Sequence, residues 1–249
     1  MVDTHCHLDS CKPADGELVA RARSLGVTRM ATVGMDPQTN PRALAAAREL
    51  DGVFAIVGRH PNAATGWSDS DIEEIERAAS EPGVVAVGET GLDYFRDRAP
   101  REDQRRAFEA QLDLARRLDL PVAIHSRAAD DDTMAVLAER ADGLTVILHC
   151  FSMPDRVDEA VERGYVCSFA GNVTYPSAGD LQEAARQVPD DLLLVETDAP
   201  YLTPVPVRGE PNEPANVTHT AELVAGLRGV EYAELEAIVE RNAARVFGW

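Results

Sequence analysis

Lysine is almost missing from this sequence. Lys12 is the only one and lies off every apolar run, so a carbamylated lysine bridging two metal ions is excluded. Cationic charge is scarce altogether. Forty-three acidic residues against 24 basic ones leave a formal net charge of −19, a field that repels polyanions at low salt. Cys6, Cys11, Cys150 and Cys167 form no C-x-x-C pair, which argues against a zinc ribbon or a thioredoxin-like site and for reduced thiols. No apolar run approaches the length of a membrane span, and no signal-like segment follows the first residues. The expectation is a cytoplasmic protein with no membrane partner. No G-x-G-x-x-G follows the first apolar run, which lowers a dinucleotide-binding open sheet, and no tandem repeat is evident.

What is present alternates. Short apolar runs recur at Val27–Gly34, Val53–Arg59, Val84–Gly88, Pro121–Ile124, Thr145–Leu148, Tyr165–Phe169 and Leu192–Val195, after an opening strand at Val2–His7. Such runs mark strands buried on both faces of a parallel sheet. Between them lie amphipathic stretches of good helix formers: Glu17–Leu25, Pro41–Leu50, Ser70–Ala79, Arg101–Leu118, Asp131–Ala141, Pro154–Arg163 and Gly179–Gln187, with a last one from about Glu231 to Arg245. Eight strand–helix units in 249 residues predict a (β/α)₈ TIM barrel, one domain over residues 1–249. The proline-rich stretch Thr203–Asn216 then reads as a long loop after the eighth strand.

Barrel chemistry sits at the C-terminal ends of strands. There the sequence places His5 and His7 after strand 1, His60 after strand 3, Glu89 after strand 4, His125 after strand 5, His149 after strand 6 and Asp198 after strand 8. One histidine at a strand end is ordinary; most of the chain's histidines together with two carboxylates point to metal. In a strand, His5 and His7 share a face. The set predicts two divalent cations: His5 and His7 on one, His125 and His149 on the other, and Glu89 between them, since a carboxylate offers two oxygens. Asp198 would join the first ion and accept a proton from water whose pKa the metal lowers to roughly 7. Nitrogen-rich ligands favour zinc, with manganese or magnesium as alternatives.

Several motifs carry a resemblance across the whole chain: Asp3-Thr4-His5-Cys6-His7-Leu8, Gly58-Arg59-His60-Pro61, Gly88-Glu89-Thr90-Gly91-Leu92-Asp93-Tyr94, Ile124-His125-Ser126-Arg127, His149-Cys150-Phe151 and Glu196-Thr197-Asp198-Ala199-Pro200-Tyr201-Leu202. Together they resemble the TatD family of metal-dependent deoxyribonucleases within the amidohydrolase-like barrels. The resemblance implies that His5, His7, Glu89, His125, His149 and Asp198 are metal ligands, Glu89 shared, and that His60 faces substrate. It implies phosphodiester hydrolysis in DNA, single-stranded or short, with Glu89 and Asp198 as the catalytic carboxylates. One departure stands out: Glu210-Pro211 follows Arg208-Gly209 where the family usually has basic residues.

Arg127 and Arg208 are candidate phosphate contacts, against the alternative of ion pairs with the surplus acids. Asp3 and Glu196 are candidate ligand-orienting carboxylates, against plain structural pairing. Glu213 either supports the site or starts a helix, and Trp67 and Tyr94 either stack on a base or pack. The rival functions are hydrolysis of a lactone, amide or small phosphoester, and metal-dependent binding without turnover. Oligomeric state stays open, with a monomer favoured.

Overall fold

Eight parallel strands in sequential order make up the single sheet of the computed structural model, which describes residues 1–249. They are β1 Val2–Cys6, β2 Arg29–Val33, β3 Val53–Val57, β4 Val84–Asp93, β5 Val122–Arg127, β6 Val146–Leu148, β7 Val166–Phe169 and β8 Leu193–Val195. Helices α1 Asp15–Ser24, α2 Asn40–Glu49, α3 Asp69–Ala79, α4 Arg101–Leu118, α5 Asp130–Arg140, α6 Val157–Glu162 and α7 Gly179–Gln187 alternate with them, and α8 Val217–Arg228 and α9 Tyr232–Phe247 follow. The ring closes between β8 and β1 just beyond the last strand residues. Asp198 N–H donates to the His5 carbonyl (2.9 Å) and His7 N–H to the Ala199 carbonyl (2.7 Å), around a parallel Cys6–Ala199 bridge. The architecture is the TIM barrel predicted from the apolar runs.

Three elements differ from the sequence reading. β4 continues five residues past Gly88, so Glu89 lies inside a strand. Its pairing with β5 slips between Val87 and Thr90, giving the extra residue of a bulge, a device that re-aims side chains. A similar slip between Asp3 and Cys6 breaks the simple alternation of β1, and His7 stands past the strand, leading into a 3₁₀ turn at Leu8–Ser10. The helix α8 was not delimited by periodicity. Thr218, His219 and Thr220 are weak helix formers, and no side chain caps its start.

Packing fixes the mouth. Gly91 has φ +137°, and a Cβ there would lie 2.0 Å from the His125 carbonyl oxygen, so only glycine lets β4 and β5 approach at that level. Gln111 of α4, fully buried, accepts from Arg59 N–H (2.8 Å) and donates to the Arg59 carbonyl (3.1 Å) and to Thr90 Oγ1 (2.6 Å). It thereby ties the end of β3, next to His60, to β4. The Arg59 guanidinium reaches on to Asp71 in the first turn of α3 (2.9 Å). Asp71 also accepts from Ser68 N–H and Oγ (2.8 and 2.9 Å), completing a capping box.

Burial works against the Asp71 charge, but the Ser68 and Arg59 hydrogen bonds outweigh it and hold the carboxyl below its ordinary range. A depressed carboxylate stabilises the fold above its unfolded pKa, and that contribution is lost as pH falls through the folded value. Asp71→Asn is therefore expected to cost about 1 kcal/mol at neutral pH, the usual scale of a cap. The difference from wild type should shrink once pH drops below about 4. Urea unfolding at neutral and acid pH reads both.

Candidate metal centre

The predicted residues meet around one carboxylate. Glu89, 3% exposed, turns Oε2 toward His5 Nε2 (3.5 Å) and His7 Nε2 (3.7 Å). Its Oε1 faces His125 Nδ1 (2.6 Å), His149 Nε2 (3.2 Å) and His60 Nε2 (3.5 Å). Asp198 Oδ1 approaches His7 Nε2 at 3.4 Å. Most of these separations are long for hydrogen bonds. They match the edge of a tetrahedron about 3.4 Å long, which follows from metal–nitrogen bonds of about 2.1 Å.

A direct test of fit is whether the donors are otherwise spent. His5 is 1% exposed, and neither of its ring nitrogens has a hydrogen-bond partner. Two orphaned nitrogens on a buried ring are costly unless something else takes them. Groups of three donors close enough to share an ion are His5–His7–Glu89 and Glu89–His125–His149. Each contains Glu89, so the donor set fits two cations with a common carboxylate. Two further triplets, His60–Asp93–His125 and His5–His149–Glu196, lie on either side.

The outer nitrogens of the other rings are held by the fold. His149 Nδ1 lies 2.8 Å from Glu196 Oε1, which also accepts from Cys150 N–H (2.9 Å). His7 Nδ1 lies 3.2 Å from the Val33 carbonyl, and His125 Nε2 lies 3.3 Å from Asp93 Oδ2. Such partners fix ring orientation and basicity. Sequence gives Asp93 no role of its own; only its place four residues past Glu89 points to it. Asp3 bonds elsewhere, accepting from Thr197 N–H (2.9 Å) and Thr197 Oγ1 (2.6 Å) across the β8–β1 seam. Burial pushes its carboxyl up to about 8.

Electrostatics sort the cluster. Burial opposes charge on Glu89, yet His149 and His60 beside it hold its carboxyl well below the ordinary range. Burial also opposes charge on Asp198, and the His7 hydrogen bond still keeps it low. Both are therefore carboxylates at neutral pH. His60 is pushed down to about 3 by burial and by His125. Its Nδ1 accepts from Asn62 N–H (3.0 Å), leaving Nε2 to carry the proton toward the pocket.

The remaining candidates separate. Arg127 and Arg208 form no ion pair, although neighbouring Arg101 and Arg156 do. Instead Arg127 lies over the Phe95 ring (4.2 Å) and Arg208 over the Tyr175 ring (3.7 Å). Trp67 is 6% exposed and packed, and Tyr94 is half-buried, its hydroxyl donating to Asp132 (2.7 Å) and its ring lying under Arg101 at 3.9 Å. Glu213 reaches away to Arg21 (2.6 Å).

The chain is similar to known proteins along its whole length. Residues 2–248 match the model of the family described as TatD related DNase. A Bacillus subtilis protein, the uncharacterized metal-dependent hydrolase YabD, is 37% identical over 251 residues, covering 99% of this chain and 98% of its own. The 3'-5' ssDNA/RNA exonuclease TatD of Cronobacter sakazakii is 38% identical over 238 residues, covering 93% and 90%. The crystal structure of an Escherichia coli TatD homologue, YJJV, superposes with a TM-score of 0.92 at 31% identity, over 100% of this chain and 98% of that one.

Metal-stripped protein should keep His60 neutral well into acid. Its imidazole resonances are expected to stay fixed between about pH 8 and about pH 5, where an unperturbed histidine titrates. A depressed histidine withdraws stability as pH falls below about 6.5, so His60→Gln should flatten the acid side of the stability profile.

Proposed function

The chain belongs to the TatD-related DNase family and is a metal-dependent hydrolase; from that premise we propose that it cleaves phosphodiester bonds in single-stranded DNA with two divalent cations, zinc first among them. The observation that supports this reading best is the division of labour at Glu89, one oxygen toward His5 and His7 and the other toward His125 and His149. His5, His7 and Asp198 would hold one cation, His125 and His149 the other, with Glu89 common to both. When bound, such ions supply Lewis-acid charge that polarises a phosphoryl oxygen and makes water nucleophilic near neutral pH.

The protein's own groups do the rest. Asp198, kept ionised and still 14% accessible at its side chain, accepts the proton that attacking water gives up. His60 offers its Nε2 proton to a phosphate oxygen, and neutrality lets it do so without drawing Glu89 into a salt pair. Arg127 and Arg208, free of carboxylates, bind phosphates on either side of the cleaved one. The exonuclease activity named for the Cronobacter sakazakii relative agrees with this substrate class. Hydrolysis of a lactone or amide is the second reading, favoured only by the small number of unpaired cations at the mouth.

A metal-screened panel of single- and double-stranded DNA, RNA, a chromogenic phosphodiester, a lactone and an amide tests the assignment; turnover of the lactone or amide alone would overturn it. Elemental analysis of purified variants should show Glu89→Gln losing metal at both positions and His125→Ala at chiefly one. Normal metal content in the Glu89 variant would end its bridging role. Asp198→Asn should keep the fold and much of the metal while slowing phosphodiester turnover by ~10²–10⁴-fold. Near-normal rates would remove Asp198 from the mechanism.

A further inference from the structure

Two aromatic side chains in this protein stand more than half exposed, Phe95 at 61% and Tyr201 at 52%, and both are at the barrel mouth. Phe95 follows the end of β4, and Tyr201 follows Asp198 beyond β8. In a closed ring of eight sequential strands β4 and β8 lie opposite each other, so the two rings flank the histidine–carboxylate cluster from facing sides. A single exposed aromatic needs no explanation. Two of them, on opposite rims of one pocket, call for one.

The backbone at each is held by groups that also touch the cluster. Asp93 Oδ1 accepts from Phe95 N–H (3.0 Å) and Arg96 N–H (2.7 Å), while its Oδ2 faces His125. Tyr94 N–H donates to the Arg127 carbonyl (2.9 Å), pinning the same loop to β5. Across the mouth, Tyr201 N–H donates to the Asp198 carbonyl (2.8 Å), the Tyr201 carbonyl accepts from Asn212 Nδ2, and the Tyr201 ring stands edge-on to His7 at 6.0 Å. The Arg127 guanidinium lies 4.2 Å from the centre of the Phe95 ring, with Arg96 farther off at 5.7 Å. A flat apolar face backed by an unpaired cation suits a ligand that is itself flat and carries an anion beside it.

We propose that Phe95 and Tyr201 are base-stacking platforms on either side of the cleavage site, gripping an unpaired nucleic-acid strand that crosses the mouth. The proposal rests on the phosphodiesterase reading and narrows it. Every nucleobase has a π-face, so the grip is tolerant of sequence. In a duplex those faces are already stacked, so the platforms select single strands. They also supply attraction that does not depend on positive charge, which is scarce in a chain of formal net charge −19.

The test pairs residue deletion with base deletion. The substrates are a mixed-sequence single-stranded oligodeoxynucleotide and the same strand carrying tetrahydrofuran abasic positions, on zinc-loaded enzyme. Phe95→Ala and Tyr201→Ala should each raise KM for the intact strand about 5- to 100-fold, with the loss in KM rather than kcat. Removing the bases should raise KM for wild type but add little in the variants. Phe95→Trp should restore the wild-type pattern. Fluorescence anisotropy of the labelled strand on metal-free protein should show the same ordering in Kd. Equal KM and Kd in wild type and both alanine variants, or base deletion costing the variants as much as wild type, would overturn the platforms. Wild type that binds the strand through Phe95 but fails to cut it would instead overturn the nuclease reading, so the two failures are told apart.

Discussion

Closure of the barrel is the constraint on which the site depends. The hydrogen bonds that join β8 to β1 run from Asp198 N–H to the His5 carbonyl and from His7 N–H to the Ala199 carbonyl. Those backbones carry donors of the central cluster, so sealing the sheet and assembling the pocket are one event. Below this rung Asp3 takes both Thr197 protons, and Thr4 Oγ1 donates to the Val195 carbonyl (2.9 Å), so the seam is tied by side chains as well as by backbone. The same economy recurs at Asp93, whose two oxygens brace a loop and a histidine, and at Glu196, which serves the His149 ring and the Cys150 amide.

The fold was legible because strands buried on both faces leave continuous apolar runs, and these located every strand, with β4 alone extending well past its run. Helix α4, Arg101–Leu118, is strongly amphipathic and was bounded without error. What pattern could not supply was the behaviour of polar residues within strands. Glu89, Thr90 and Gly91 end the apolar run after Gly88, yet β4 continues through them because Gly91 permits the close pass of β5. The cluster residues could be named from their places at strand ends. Their partition between the two oxygens of Glu89 is a three-dimensional fact, as is the separation of Asp3, which bonds across the seam, from Glu196, which bonds a ring. Exposure was the other hidden quantity. Trp67 and Tyr94 are the aromatics that sequence singles out, whereas Phe95 and Tyr201 are the ones that stand more than half exposed.

The surplus of acid is not spread without structure. Most arginines on the helices neutralise nearby carboxylates, as Arg105 does with Glu109 and Arg140 with Glu109 and Asp113. Such exposed pairs add little stability, but they occupy the available cations. Arg96, Arg127 and Arg208 at the mouth rest against aromatic rings instead. A ring holds a guanidinium in place without cancelling its charge, so these three keep theirs at the pocket.

The seam between β8 and β1 also dictates when the site can come into being. During synthesis His5 and His7 emerge near the start, and Asp198 follows only after all eight strands have been made. No partial chain can therefore own the complete donor set, and the pocket is complete only once the ring is shut. Joining chain segments so distant in sequence carries a loop-closure cost that nearer contacts must first reduce. An ion captured at that last step would act as a latch, since whatever binds only the closed ring draws the whole chain toward it.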